Sequence, residues 1–173
     1  MSVLVRPAVE ADAGAIASIH VRGWQTAYKG IVPAAYLAGL SIEERTRTWA
    51  AGISAGAMPD GGNIYVAESD GAVLGWLTCG PSRDEGAPAG VGELHGIYVD
   101  PEIWGAGAGS ALMDFCVGEL RARGYTHATL WVLADNVAAR HWYERRGWAF
   151  DGTHTTFTVA GQELAECRHA REL

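Results

Sequence analysis

Residues 100–113 read DPEIWGAGAGSALM, with glycine at Gly105, Gly107 and Gly109 and an apolar helical spacing (Leu112, Phe115, Cys116, Leu120) directly after them. Glycine costs about 1 kcal/mol against alanine inside a helix, so three at a helix start need a reason. Two readings fit the residues. Unpaired N–H groups of a first helical turn, with the helix dipole behind them, can cradle a phosphate that approaches bare backbone. Alternatively the glycines allow tight packing and hold nothing. The Walker spacing fails because Ser110 follows Gly109 directly, and the dinucleotide fingerprint would need glycine at Ser110 or Leu112.

Just upstream, the run ELHGIYV places Glu93 and His95 on one face of a strand by simple alternation. A carboxylate and an imidazole so arranged are either a proton-transfer pair or an ordinary polar network at a strand end.

These groups need elements to hold them. A short strand at SVLVRPA is followed by a helix from Glu10 to about Tyr28 and by broken helical pieces in YKGIVPAAYLAGL. A second long helix opens at Ser41, with Glu44 completing a capping-box pattern. NIYVAESDGAVLGWLTCG reads as a hairpin turning at Ser69-Asp70-Gly71, and VGELHGIYVD as the next strand. A helix from about Gly105 to Arg123 follows, ended by Gly124, then the strand ATLWVLA and a short helix capped at Asp135 or Asn136. A hairpin turning at Ala160-Gly161 closes the chain. The strand-helix-strand from Val91 to Leu133 predicts a parallel crossover, and the hairpins make the rest antiparallel. The expected fold is a single α/β domain over residues 1–173, a mixed, mostly antiparallel sheet with helices on both faces.

Composition narrows the function. The 173 residues are 49% hydrophobic and 19% charged, with a formal net charge of −7, which argues against a phosphate-driven affinity for nucleic acid. Cys79, Cys116 and Cys167 are widely spaced and odd in number, they match neither a disulfide framework nor a zinc pattern, and none sits in a nucleophile setting. The N-terminal residues lack the features of a signal peptide, and no apolar run is long enough for a membrane span. A cytoplasmic protein without membrane, nucleic-acid or metal partners is expected.

HGIYVDPEIWGAGAGSALM resembles the acetyl-CoA motif of the GCN5-related N-acetyltransferases, Q/R-x-x-G-x-G/A, falling on Trp104, Gly107 and Gly109. NVAARHWYERRGW resembles that family's second motif, with Asn136, Ala139, Tyr143 and Gly147 in register. Trp104 stands where Gln or Arg is usual, and Ala106 where a basic or polar residue is common, so the loop is uncharged. The resemblance implies acetyl-CoA as co-substrate, direct acetyl transfer to a primary amine of a small molecule or peptide, and a possible homodimer. A non-catalytic acyl-CoA sensor is the alternative.

Such a transfer needs a neutral amine, although an amine of pKa about 10.4 is only about one part in a thousand neutral at pH 7. The resemblance makes Glu93 the base, with His95 or ordered water in its place, and Tyr143 the acid for the departing thiolate. It assigns the cofactor to Ile97, Tyr98 and Val99 (the Val99 N–H facing the oxyanion), to Gly105, Ala106, Gly107, Ala108, Gly109 and Ser110, to Tyr143 itself, and to Asn136, which is also a natural helix cap. Arg140, Arg145 and Arg146 are candidates for the ribose phosphate. For the acceptor, the expectation is an aromatic wall of Trp24, Tyr28, Tyr36 and Trp76, with the loop Ser82–Ala89 adding Asp84 and Glu85 beside a cationic amine. The same aromatics would serve equally as core.

Overall fold

The computed structural model describes residues 2–173. Seven strands form one sheet: β1 (Leu4–Pro7), β2 (Asn63–Ser69), β3 (Ala72–Pro81), β4 (Val91–Val99), β5 (His127–Leu133), β6 (Ala149–Val159) and β7 (Gln162–Glu172). Their spatial order is β1-β2-β3-β4-β5-β7-β6. Only β4 and β5 run parallel, joined by the predicted crossover through α4 (Ala108–Ala122); every other pairing is antiparallel.

Local chemistry explains the ends of these elements. The two hairpins turn through paired positive-φ residues, Asp70-Gly71 (φ 52 and 79) and Ala160-Gly161 (φ 50 and 76), the twist that suits two-residue connections. Between β1 and β2 lie α1 (Ala13–Ala27), the short α2 (Ala34–Ala38) and α3 (Ile42–Ala55). Ser41 caps α3 by accepting from the Glu44 N–H at 3.2 Å. The helix α5 (Val137–Glu144) is capped in the same way by Asn136, whose side-chain oxygen accepts from the Ala139 N–H at 3.2 Å.

Apolar residues pack on both faces of the sheet. On one face Leu112, Met113, Cys116 and Leu120 of α4 meet Leu77, Leu94, Leu130 and Trp148. On the other, Ile16 and Ile19 of α1 and Trp49 of α3 meet Ile64, Val66 and Trp76. A smaller cluster of Val32, Leu37, Leu133, Val159 and Leu164 closes the far end under α2.

Two irregularities at the centre create the functional cleft. The β4–β5 ladder runs from Val91↔His127 to Leu94↔Leu130 and ends there, so the two strands separate beyond it. Within β4, Cys79 pairs with Leu94 and Thr78 with Gly96, which leaves His95 as an inserted bulge residue. Uninterrupted alternation would put Ile97 and Val99 on the face of Glu93. After the bulge they instead pack toward α4, and Tyr98 packs toward α1.

Candidate active site

A cavity of about 640 Å³ opens where β4 and β5 part. Its walls include Ile97, Tyr98 and Val99 of β4, Trp131 to Leu133 of β5, the glycine loop with the start of α4, and Asn136 and Tyr143. Tyr28 at the end of α1 and Glu166 of β7 close the opposite side.

The three loop glycines do different work. Gly105 and Gly107 have φ of 87° and 98°, a region where any side chain is strained, and they turn the chain from a 3-10 turn (Pro101–Ile103) into α4. Gly109 sits in close quarters: a Cβ there would lie 3.3 Å from the Trp142 ring, which would have to give by a few tenths of an ångström. The first intrahelical bond of α4 runs from the Ala111 N–H to the Gly107 carbonyl at 3.0 Å, so the N–H groups of Ala108, Gly109 and Ser110 have no helical partner. Ala106 departs from the expectation. Its N–H donates to the Ile103 carbonyl at 3.1 Å, and the residue does not line the cavity.

The missing positive charge of this loop comes from elsewhere in the chain. Arg146, just beyond α5, donates to the Ser110 hydroxyl at 2.7 Å and lies 4.0 Å over the Trp142 ring, on the cavity wall. Trp104 has its own structural role: its indole N–H donates to the Val99 carbonyl at 3.0 Å, tying the loop to β4. The Asp100 N–H donates to the Leu74 carbonyl in β3 at 2.9 Å. Amide direction alternates along a strand, so the Val99 N–H turns away from β3 and into the split.

Tyr143 lines the cavity. Burial pushes its phenol well above the ordinary range, an effect reinforced by Tyr28, so it holds its proton at neutral pH. The Tyr28 and Tyr98 hydroxyls share a hydrogen bond of 2.8 Å, and burial raises both phenols as well.

The two sequence candidates for a base are engaged elsewhere. Glu93 is 0% exposed, does not line the cavity, and accepts from the Arg83 guanidinium at 2.9 and 2.5 Å and from the Arg83 N–H at 2.7 Å. His95 does line the cavity, but its Nε2–H donates to the Pro81 carbonyl at 2.8 Å and its Nδ1 faces Asp60 at 3.5 Å.

The expected aromatic wall is also rearranged. Of its four members only Tyr28 lines the cavity. Trp76 is 3% exposed in the core, stacked on Tyr98 and packed on Trp49. Trp24 packs between Tyr28, Tyr36 and Phe157, and Tyr36 faces a separate shallow groove beside Arg45. Trp24, Trp49, Trp76 and Tyr98 surround His20, which accepts from the Trp49 indole at 3.3 Å. Burial, with Arg45 adding to it, lowers the His20 pKa to about 3. The loop acid Asp84 is bound to Arg168 at 2.7 Å and to the Trp131 indole at 2.8 Å.

Glu166 is the residue that sequence reasoning misses. It lies opposite Leu133 across the β5–β7 ladder, and burial raises its pKa against the pull of Arg83, with Glu93 pushing the same way as burial. Its signal is long-range, because nothing in QELAECRHAREL tells that β7 inserts between β5 and β6. The cysteines stay out of the chemistry: all are free and buried, and a contact with Cys79, together with burial, raises the Cys116 thiol far above its usual range.

Comparison with known proteins agrees with this geometry. The acetyltransferase (GNAT) family model matches residues 24–148. An uncharacterized N-acetyltransferase of Bacillus subtilis, YuaI, is 33% identical over 135 residues, covering 78% of this chain and 73% of that protein. A mycothiol acetyltransferase of Cellulomonas flavigena is 38% identical over 95 residues, 52% of this chain but only 27% of that longer protein. Among solved structures, a ribosomal-protein-alanine N-acetyltransferase from Brucella melitensis superposes with a TM-score of 0.74 at 25% identity, over 98% of this chain and 99% of that one. The PaiA N-acetyltransferase from Thermoplasma acidophilum, solved with coenzyme A, shares the fold at a TM-score of 0.74 and 17% identity over the whole of both chains. The chain belongs to the acetyltransferase (GNAT) family.

Proposed function

We propose that this protein transfers an acetyl group from acetyl-CoA to a primary amine by direct attack, with both substrates bound together. One observation carries the reading: the free N–H groups of the α4 start, the inward Val99 N–H and the protonated Tyr143 all open onto a single cavity. The residues present fit coenzyme A, since backbone donors and the Arg146 guanidinium suit a diphosphate and the parted β4 and β5 leave strand edges for an extended arm. The thioester supplies an acetyl group already activated for transfer.

The chain's own groups do the rest. The Val99 N–H stabilises developing oxyanion charge, and Tyr143 holds a proton at its hydroxyl for the departing sulfur. Glu93, bound to Arg83, fixes the loop after β3 and does not reach the amine. That engagement is also what favours the second reading, an acyl-CoA sensor without catalysis.

Thermal melting with acetyl-CoA, followed by thiol release over a panel of small amines, polyamines, aminoglycosides and peptide N-termini, separates the two. A rise in melting temperature together with amine-dependent thiol supports the transferase. A rise without thiol supports the sensor. A protein stabilised by NAD or ATP but indifferent to acetyl-CoA overturns both.

A further inference from the structure

We propose that Glu166 is the acceptor-recognition residue of this cavity: its carboxylate pairs with the ammonium of a cationic primary amine and takes the proton that the nitrogen must lose before attack. The inference rests on the acetyltransferase reading and adds the acceptor's charge class to it.

Three observations carry it. Glu166 contributes the only carboxylate among the residues lining the cavity. Its side chain has no hydrogen-bond or ion-pair partner among the described residues, whereas its charged neighbour Glu93, like Asp60, Asp84 and Asp100 elsewhere in the fold, is engaged with an arginine. It also stands on the appropriate face. Opposed residues of a ladder share a side, so Glu166 lies with Leu133, which packs against Tyr28 and α2, away from the α4 face. The loop that would take phosphates and the free carboxylate thus occupy opposite ends of one cavity.

A half-buried carboxylate at the wall of the cavity, whose nearest guanidinium, Arg83, is already held by Glu93 and Asp60, attracts a cationic ligand and repels an anionic one. Burial also raises its pKa above the ordinary carboxylate range, which makes it a better proton acceptor. In the step itself, the ammonium proton passes to a Glu166 oxygen and the freed lone pair forms the N–C bond at the thioester carbonyl. The C–S bond then breaks and the sulfur leaves with the Tyr143 proton. The nitrogen gives up its second proton to the Tyr143 phenolate, which restores the phenol, and Glu166 releases the first proton to solvent.

The test uses two probes of similar shape and opposite charge, 2-phenylethylamine and 3-phenylpropionate, titrated calorimetrically into the CoA-loaded protein. The wild type is expected to bind the amine at least tenfold more tightly than the acid. Glu166→Gln is expected to lose that preference while keeping the full acetyl-CoA-induced rise in melting temperature, and Glu166→Asp, which retains the charge, to keep most of it. A Glu166→Gln variant that binds the amine as the wild type does, or a wild type with no preference, overturns the proposal. Failure of acetyl-CoA to raise the melting temperature of the wild type is a different result and overturns the acetyltransferase reading beneath it.

Discussion

The two ends of the cavity are built by different means. The proposed coenzyme end is mostly main chain: two positive-φ glycines, the unpaired amides of one helix start, and an arginine 36 residues away that closes on Ser110. The proposed acceptor end is side chains delivered by α1, β4, β5 and β7, elements far apart in sequence. A backbone cradle depends on conformation, so it writes itself into a short glycine-rich segment. A side-chain pocket depends on which strands become neighbours, and that leaves little local trace.

The sharpest way to break this contrast is at Trp76. If it belongs to the frame and not to the acceptor end, Trp76→Ala lowers unfolding stability by about 3–5 kcal/mol in urea titrations, with the KM for amine changed less than about twofold. Gly107→Val comes next, because a β-branched residue at φ 98° distorts the helix start; acetyl-CoA affinity by calorimetry is expected to drop about 100-fold while circular dichroism stays native-like. Tyr143→Phe should reduce kcat by about 100-fold and leave the acetyl-CoA melting shift unchanged, which places its role in turnover. Arg146→Ala should weaken acetyl-CoA by about tenfold, with the difference shrinking at high salt.

The smallest effect is one of pH. His20 is held neutral with a pKa of about 3, against about 6.5 in the unfolded chain, so the unfolded state binds a proton that the fold refuses. Stability is fully present above pH 6.5 and falls as the pH drops from there toward 3. At pH 5.5 the loss relative to pH 7.5 is about 1.4 kcal/mol, and His20→Phe should flatten it.

Much of the fold was legible because its signals are local. The Ser41 cap, the Asp70-Gly71 and Ala160-Gly161 turns and the Asn136 cap all act within a few residues, and the crossover follows from a strand, a helix and a strand in succession. The coenzyme end was legible for the same reason. For Glu93 the resemblance offers a base and the residues alone a base or a paired strand-end carboxylate, because alternation gives a face but not a partner, and Arg83 reaches it only once β3 and β4 pair. Trp76 stays open between pocket wall and core in the sequence, because an aromatic in a strand looks the same whether a helix covers it or not. Glu166 was missed because its place follows from the insertion of β7 between β5 and β6.

The bulge at His95 makes β4 sensitive to length in a way it is not to composition. The bulge absorbs the inserted residue, and the register after it sends Tyr98 toward α1, Val99 toward α4 and the Val99 amide into the split. A replacement at this position alters one side chain. Deletion of His95 itself would remove the bulge and leave those faces as they are. Insertion of one further residue into the regular part of β4 before Tyr98 would exchange the faces of Tyr98 and Val99 and turn that amide back toward β3, dismantling both ends of the cavity at once.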